Sequence, residues 1–101
     1  MNPLPTLDDL FAQLQAMQTE LQGGQLHNVE QLLVRHDTDV RAFLHADGGR
    51  EAGYDALAKL LRAQLDLQQQ MKLARDETSR QMQATQRADR AARAYLALAE
   101  D

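Results

Sequence analysis

The chain has 101 residues, a formal net charge of −4 and no cysteine. This length fits one domain, and the lack of cysteine excludes disulfides, a thiolate nucleophile and a Cys-ligated metal. The negative charge disfavours broad binding to nucleic acid or an anionic membrane, and no apolar run approaches the ~20 residues of a membrane span. The first basic residue is Arg35, whereas secretory and transit signals carry early positive charge, so we expect a cytoplasmic protein.

The first predicted helix covers residues from about 6 to 22. Thr6 can cap the free amides of its first turn, and Asp9 stands at the reciprocal position of a capping box. Gly23 and Gly24 should end the helix. Its apolar residues recur with the 3-4 spacing of one helical face: Leu7, Leu10, Leu14, Met17 and Leu21.

The second predicted helix covers residues from about 25 to 46, although Asn28 with Gln31 offers a competing start. His36 falls on its apolar seam, where we expect a partly buried histidine with local hydrogen bonds. A pH-sensitive contact is the alternative. The segment Asp47–Arg50 contains two glycines and should form the next break, which Gly53 just beyond it could extend. Because both connections are short, the helices should be antiparallel neighbours.

The third predicted helix covers residues from about 52 to 99 and has no glycine or proline from Tyr54 onward. Its stripe is leucine up to Leu73, but residues 74–95 contain no Leu, Ile, Val or Phe. We therefore predict an all-α fold in a single domain, an up-down bundle with an antiparallel helical hairpin and a long third helix. A bend near residues 74–86, which would create a fourth helix, is left open.

The three predicted helices differ greatly in length. At ~1.5 Å per residue the first two span about 24 and 30 Å, whereas an unbroken third would span roughly 67 Å. The hairpin can therefore cover only the first half of the third helix. The remaining stripe should be available to another chain, because a lone monomer rarely exposes such residues together. The residues expected to bind a partner are Leu67, Met71, Ala74, Thr78, Met82, Thr85, Tyr95 and Leu96.

No arrangement of residues predicts catalysis, a cofactor or a metal site. His27 and His45 share a face but lie about 27 Å apart along the helix, while His36 points away from both. Phosphate loops, nucleophile elbows and metalloprotease signatures are absent from the sequence. Arginines between Arg80 and Arg93 form a basic section that could contact an acidic protein or RNA, but no aromatic residue interleaves to stack bases. We expect an interaction protein and not an enzyme.

The order of these features resembles the flagellar type III export chaperones, most closely the FliT type, which serves the filament-cap protein. The resemblance lies in a short helical hairpin, a Gly-Gly break and a long Gln-rich helix closing on a basic, alanine-rich stretch. It is carried by residues 76–79, Arg87, and the run Arg93-Ala94-Tyr95-Leu96, with Gly24-Gln25-Leu26 at the start of the second helix. The family's usual bend between its third and fourth helices has no glycine or proline here.

The resemblance implies a chaperone that binds an amphipathic helical segment of a flagellar subunit, keeps it from assembling and delivers it to the export apparatus. Tyr95 matches the tyrosine with which such chaperones dock on the export gate, and some members also bind the export ATPase complex or a flagellar transcription activator. The residues themselves leave an alternative open, a structural coiled coil in which the last helix pairs with its own copy as a homodimer. A third reading is an RNA or acidic-protein adaptor.

Overall fold

The computed structural model describes residues 4–100, which form three α-helices and no strand, as the sequence predicts. Helix α1 spans Leu7–Gln22, α2 spans Leu26–His45 and α3 spans Asp47–Glu100. Gln13 in the first half of α1 hydrogen-bonds to Asp39 in the second half of α2. Glu20 near the end of α1 hydrogen-bonds to Asn28 near the start of α2. This pattern is that of an antiparallel hairpin.

The start of α1 is fixed by the predicted capping box. The Thr6 amide donates to Oδ2 of Asp9 at 2.9 Å, and the Asp9 amide donates to Oγ1 of Thr6 at 3.2 Å. Hydrogen bonds from the Thr6 backbone amide and, to a lesser extent, from the Thr6 side chain to the Asp9 carboxylate lower the pKa of Asp9. The Gly23–Gln25 connection then returns the chain, and the Gln25 amide donates to the Glu20 carbonyl at 2.9 Å. No side chain caps the start of α2.

The predicted break is displaced, because Asp47–Arg50 are helical and the chain is interrupted on either side of them, at the extended Ala46 (φ −91°, ψ 170°) and inside α3 at Gly53. Gly53 has φ 81° and ψ 166°, a conformation that glycine adopts without the steric cost of a Cβ atom. Gly49 has a different role. A Cβ atom there would lie 2.9 Å from the Leu44 backbone, so its glycine allows close packing and does not stop the helix.

One hydrophobic core joins α1, α2 and the first part of α3. Each large aliphatic side chain buried there contributes about 1.5–3 kcal/mol relative to exposure. The buried apolar residues are Leu10, Leu14, Met17, Val29, Phe43, Leu60, Leu67 and Met71.

The chain divides into two compact units between Met71 and Lys72. We call residues up to Met71 the N-terminal unit and those from Lys72 onward the distal segment. A bend near residues 74–86 is one of the two predicted possibilities, and these residues are helical throughout. Every described residue from Arg75 to Glu100 is exposed to solvent. The described core therefore ends at Met71, and the distal segment contributes no buried residue to it.

Candidate functional site

A fully buried histidine lies among the three helices of the N-terminal unit. His36 has 0% of its surface exposed. Its Nδ1 lies 2.7 Å from Oε1 of Gln13 in α1, and its Nε2 lies 3.0 Å from Nε2 of Gln64 in α3. His36 is thus buried more completely than the predicted partial burial, and the expected local hydrogen bonding is wrong, because both partners come from other helices.

The hydrogen bonds around His36 fit one protonation state. Oε1 of Gln13 can only accept, so Nδ1 of the ring carries the proton, and Nε2 accepts from the Gln64 amide. The Gln13 amide nitrogen in turn donates to Oδ2 of Asp39 at 2.6 Å. Each donor therefore meets an acceptor when the imidazole is neutral.

Burial is the main influence on the charge of this ring. It lowers the pKa of His36 from 6.5, because the imidazolium loses its hydration, while the Asp37 and Asp39 carboxylates oppose that shift. The neutral ring ties three helices together. This network is a structural element of the N-terminal unit and presents no reactive group to solvent.

The distal segment presents most of the predicted partner-binding residues. Met82 is 59% exposed, Leu96 64% and Tyr95 75%, and Thr78 and Thr85 are also exposed. Ala74 is half-buried. Five of the predicted residues are thus exposed and a sixth is half-buried.

The predicted partner-binding surface is not continuous, because the other two predicted residues are buried. Leu67 is 4% exposed and Met71 1%, and both belong to the hydrophobic core. Their side chains are used in packing against the hairpin, so a partner cannot reach them in this conformation. The available part of the row begins at Ala74.

A shallow depression surrounds Met82, lined by Thr78, Gln81, Met82, Thr85 and Gln86; we call it the Met82 depression. The Thr78 hydroxyl donates to the Ala74 carbonyl and the Thr85 hydroxyl to the Gln81 carbonyl, both at 3.0 Å. Since these donors already have partners on their own helix, neither threonine demands one from an incoming molecule. The depression can therefore receive an apolar side chain without leaving a hydroxyl donor unpaired.

A basic patch adjoins the Met82 depression. It is lined by Gln83, Gln86, Arg87 and Arg90, and Gln86 is shared by both surfaces. In the part of the chain that the structure describes, no carboxylate forms an ion pair with Arg87, Arg90 or Arg93. The neighbouring Arg80 differs, because its guanidinium lies 3.3 Å from Glu77.

The N-terminal unit has a groove of its own, of about 290 Å³, between α1 and α3. Phe11 and Leu14 face Ala63 and Leu67 across it, and Asp66 lies at its edge. The Lys59 ammonium lies 5.8 Å from the centre of the Phe11 ring. Sequence reasoning did not find this groove, because Phe11 reads equally well as an extra member of the core stripe.

Sequence reasoning also missed the two glutamines that hold His36. Gln13 stands within the apolar stripe of α1, between Leu10 and Met17, and Gln64 stands between Leu60 and Leu67. A polar residue inside such a stripe, opposite a seam histidine, is the signal that could have found them. Periodicity alone could not, because it does not say which residues of two helices meet.

Within residues 4–100 no group of three or more His, Cys, Asp or Glu side chains could hold a metal ion. In that same range, no helix has the length and apolar character needed to cross a membrane. No family model, curated protein or solved structure matches this chain.

Proposed function

We propose that this chain is a cytoplasmic export chaperone of the FliT type, which binds an amphipathic helical segment of a flagellar subunit such as the filament-cap protein. It would keep that subunit unassembled and deliver it to the export apparatus. The proposal involves no catalysis, cofactor, nucleic acid or membrane insertion. It combines the resemblance in sequence order with the exposed surface of the distal segment.

The observation that carries the proposal is the exposure of Met82 and Leu96 on a helix otherwise rich in alanine and polar residues. Helix-in-groove recognition uses apolar anchors at helical spacing, and methionine adapts its shape to different partners. Alanine and threonine bury less apolar area than leucine, so contacts along this face are individually weak. Weak contacts suit a chaperone that must release its client.

Tyr95 is the residue proposed to dock on the export gate. Its side chain is exposed, beside Leu96 and near Leu98, which are exposed as well. An amphipathic aromatic ring of this kind is common among residues that dominate interfaces. The export ATPase complex is a further partner that the resemblance suggests.

The client proposal can be tested with the purified filament-cap protein from the same source. We expect the double variant Met82→Asp/Leu96→Asp to bind it at least about tenfold more weakly, because charges replace two apolar contacts. The matched control is Val34→Asp/Leu61→Asp, which alters two exposed apolar residues of the N-terminal unit. Equal loss in both variants, or no loss in the first, would reject the distal face as the client site.

The homodimer is tested separately. Sedimentation of the free chain over a wide concentration range distinguishes a monomer, which associates at most at high concentration, from a tight dimer. A dimer at every concentration, dissociated by Met82→Asp/Leu96→Asp, would replace the chaperone proposal with a self-paired coiled coil.

A further inference from the structure

We propose that the partner of the distal segment is an acidic amphipathic helix, which places an apolar side chain on the Met82 depression and a carboxylate against Arg87 and Arg90. This inference rests on the proposed function for the identity of the surface, and adds the chemistry of the helix that the surface selects. The supporting observation is that Gln86 lines both the Met82 depression and the basic patch, so the two surfaces adjoin.

The charge of the distal segment favours an acidic partner. The distal segment, residues 72–101, contains six Lys or Arg and five Asp or Glu, a net charge of +1 within a chain whose net charge is −4, and its positive charge is concentrated in residues 87–93, which contain three Arg and one Asp. Two distal segments paired in parallel would bring their arginine sections at residues 87–93 together, which disfavours that form of zipper. A helix bearing Asp or Glu beside its apolar stripe would meet complementary charge instead.

The arginines of the patch are available for such contacts. Arg87, Arg90 and Arg93 are exposed, and within residues 4–100 no carboxylate pairs with them, whereas Arg80 is already engaged by Glu77. An arginine fork binds a carboxylate in a fixed geometry through two parallel hydrogen bonds. Arg87 and Arg90 are three residues apart on a helix and therefore neighbours, so one carboxylate can lie between them.

The surface fits a helix better than RNA or a membrane. Tyr95 is the one aromatic residue in the distal segment, which leaves little for base stacking. The depression beside the arginines is lined by Thr78, Gln81, Met82, Thr85 and Gln86, and its single large apolar side chain gives weak insertion into a bilayer. Small side chains do, however, allow another helix to approach closely.

The test uses two synthetic 21-residue helical peptides with the same leucine and alanine stripe, one flanked by glutamate and the other by lysine. Fluorescence anisotropy would measure their binding to the full chain. We expect the glutamate peptide to bind at least about tenfold more tightly than the lysine peptide at about 0.1 M salt. The difference should shrink at about 1 M salt, where the Debye length falls to about 3 Å.

Charge reversal identifies the residues. The variant Arg87→Glu/Arg90→Glu should weaken the glutamate peptide by about tenfold or more and strengthen the lysine peptide. The control Arg35→Glu/Arg41→Glu changes the net charge equally at exposed positions of α2 and should leave the preference unchanged. Met82→Asp should weaken both peptides, because they share the apolar stripe.

Several results would overturn the inference. Equal binding of the two peptides, or an equal effect of the two double reversals, would remove the role of the patch. Tight self-association abolished by Arg87→Glu/Arg90→Glu would assign the patch to the acidic surface of a second copy, and stronger binding of a 20-nucleotide RNA would assign it to nucleic acid. If cap-protein capture depends on Met82 but ignores the charge reversal, this inference fails and the proposed function stands. If the peptides are discriminated while the cap protein does not bind, the proposed function alone fails.

Discussion

His36 of α2 donates through Nδ1 to Oε1 of Gln13 in α1, over 2.7 Å, in a position that solvent does not reach. The same Gln13 side chain donates to Asp39 one turn further along α2. One glutamine therefore holds the imidazole and a carboxylate together, and Gln64 completes the link to α3. These hydrogen bonds connect the three helices at one defined register inside their hydrophobic core.

The network should make the stability of the N-terminal unit depend on pH. Because burial lowers the pKa of His36 below 6.5 in the folded chain, the unfolded chain binds a proton first as the pH falls. The contribution of His36 to the free energy of unfolding should therefore be fully present above about pH 6.5 and should decrease as the pH falls below that value. The decrease should end at the pH where the ring is protonated in the folded chain as well. Urea unfolding at a series of pH values between 5 and 8 measures this dependence.

The variant His36→Gln should lose that pH dependence, since it keeps an amide donor and acceptor but cannot titrate. The control His27→Gln alters an exposed histidine at the start of α2 and should keep the slope of the parent chain. Identical slopes for His36→Gln and the parent between pH 5 and 6.5 would contradict the assignment to His36.

Replacing Gln13 tests the network at neutral pH. Gln13→Leu removes the acceptor of the His36 Nδ1 proton and leaves a buried donor unpaired, at a cost of about 1–3 kcal/mol in the free energy of unfolding. Gln18→Leu, at an exposed position of the same helix, should change it by less than about 0.5 kcal/mol. Urea unfolding of both variants at pH 7.5 makes the comparison, and equal stabilities would show that the Gln13 contact contributes little.

The fold was predictable from the sequence because helix formation here follows local signals. Thr6 with Asp9 fixed the start of α1, and the leucine spacing fixed the core faces. The interruptions on either side of Asp47–Arg50 could not be located because Gly48, Gly49 and Gly53 look alike in a sequence. The close approach of Gly49 to the Leu44 backbone and the positive φ of Gly53 distinguish them in the structure. Leu67 and Met71 were misassigned for a related reason. The point at which the hairpin stops covering α3 depends on packing, and the periodic row continues past it without a change in spacing.

The positive φ of Gly53 predicts a matched pair of glycine variants. Gly53→Ala places a Cβ atom in open space but at φ 81° and ψ 166°, a region almost restricted to glycine, so its cost is that of backbone strain, about 1–3 kcal/mol in the free energy of unfolding. Gly23 has φ −79°, and a Cβ atom there would make ordinary contacts with the preceding turn. Gly23→Ala should therefore leave the free energy of unfolding nearly unchanged. Thermal unfolding followed by circular dichroism gives both values, and a neutral Gly53→Ala would mean that α3 does not need the interruption at Gly53.

Two methionines on the same helix separate packing from recognition. Met71→Ala removes a side chain that is 1% exposed and should cost about 2–5 kcal/mol in the free energy of unfolding, through lost burial and a residual cavity. Met82→Ala makes the same chemical change at 59% exposure and should alter the free energy of unfolding by less than about 0.5 kcal/mol.

Binding of the cap protein should show the reverse order. Measured by calorimetry under conditions where both variants are folded, Met82→Ala should weaken binding and Met71→Ala should not. A large loss of stability in Met82→Ala would mean that the Met82 depression is occupied by the chain itself or by a second copy, and it would then not be free for a client.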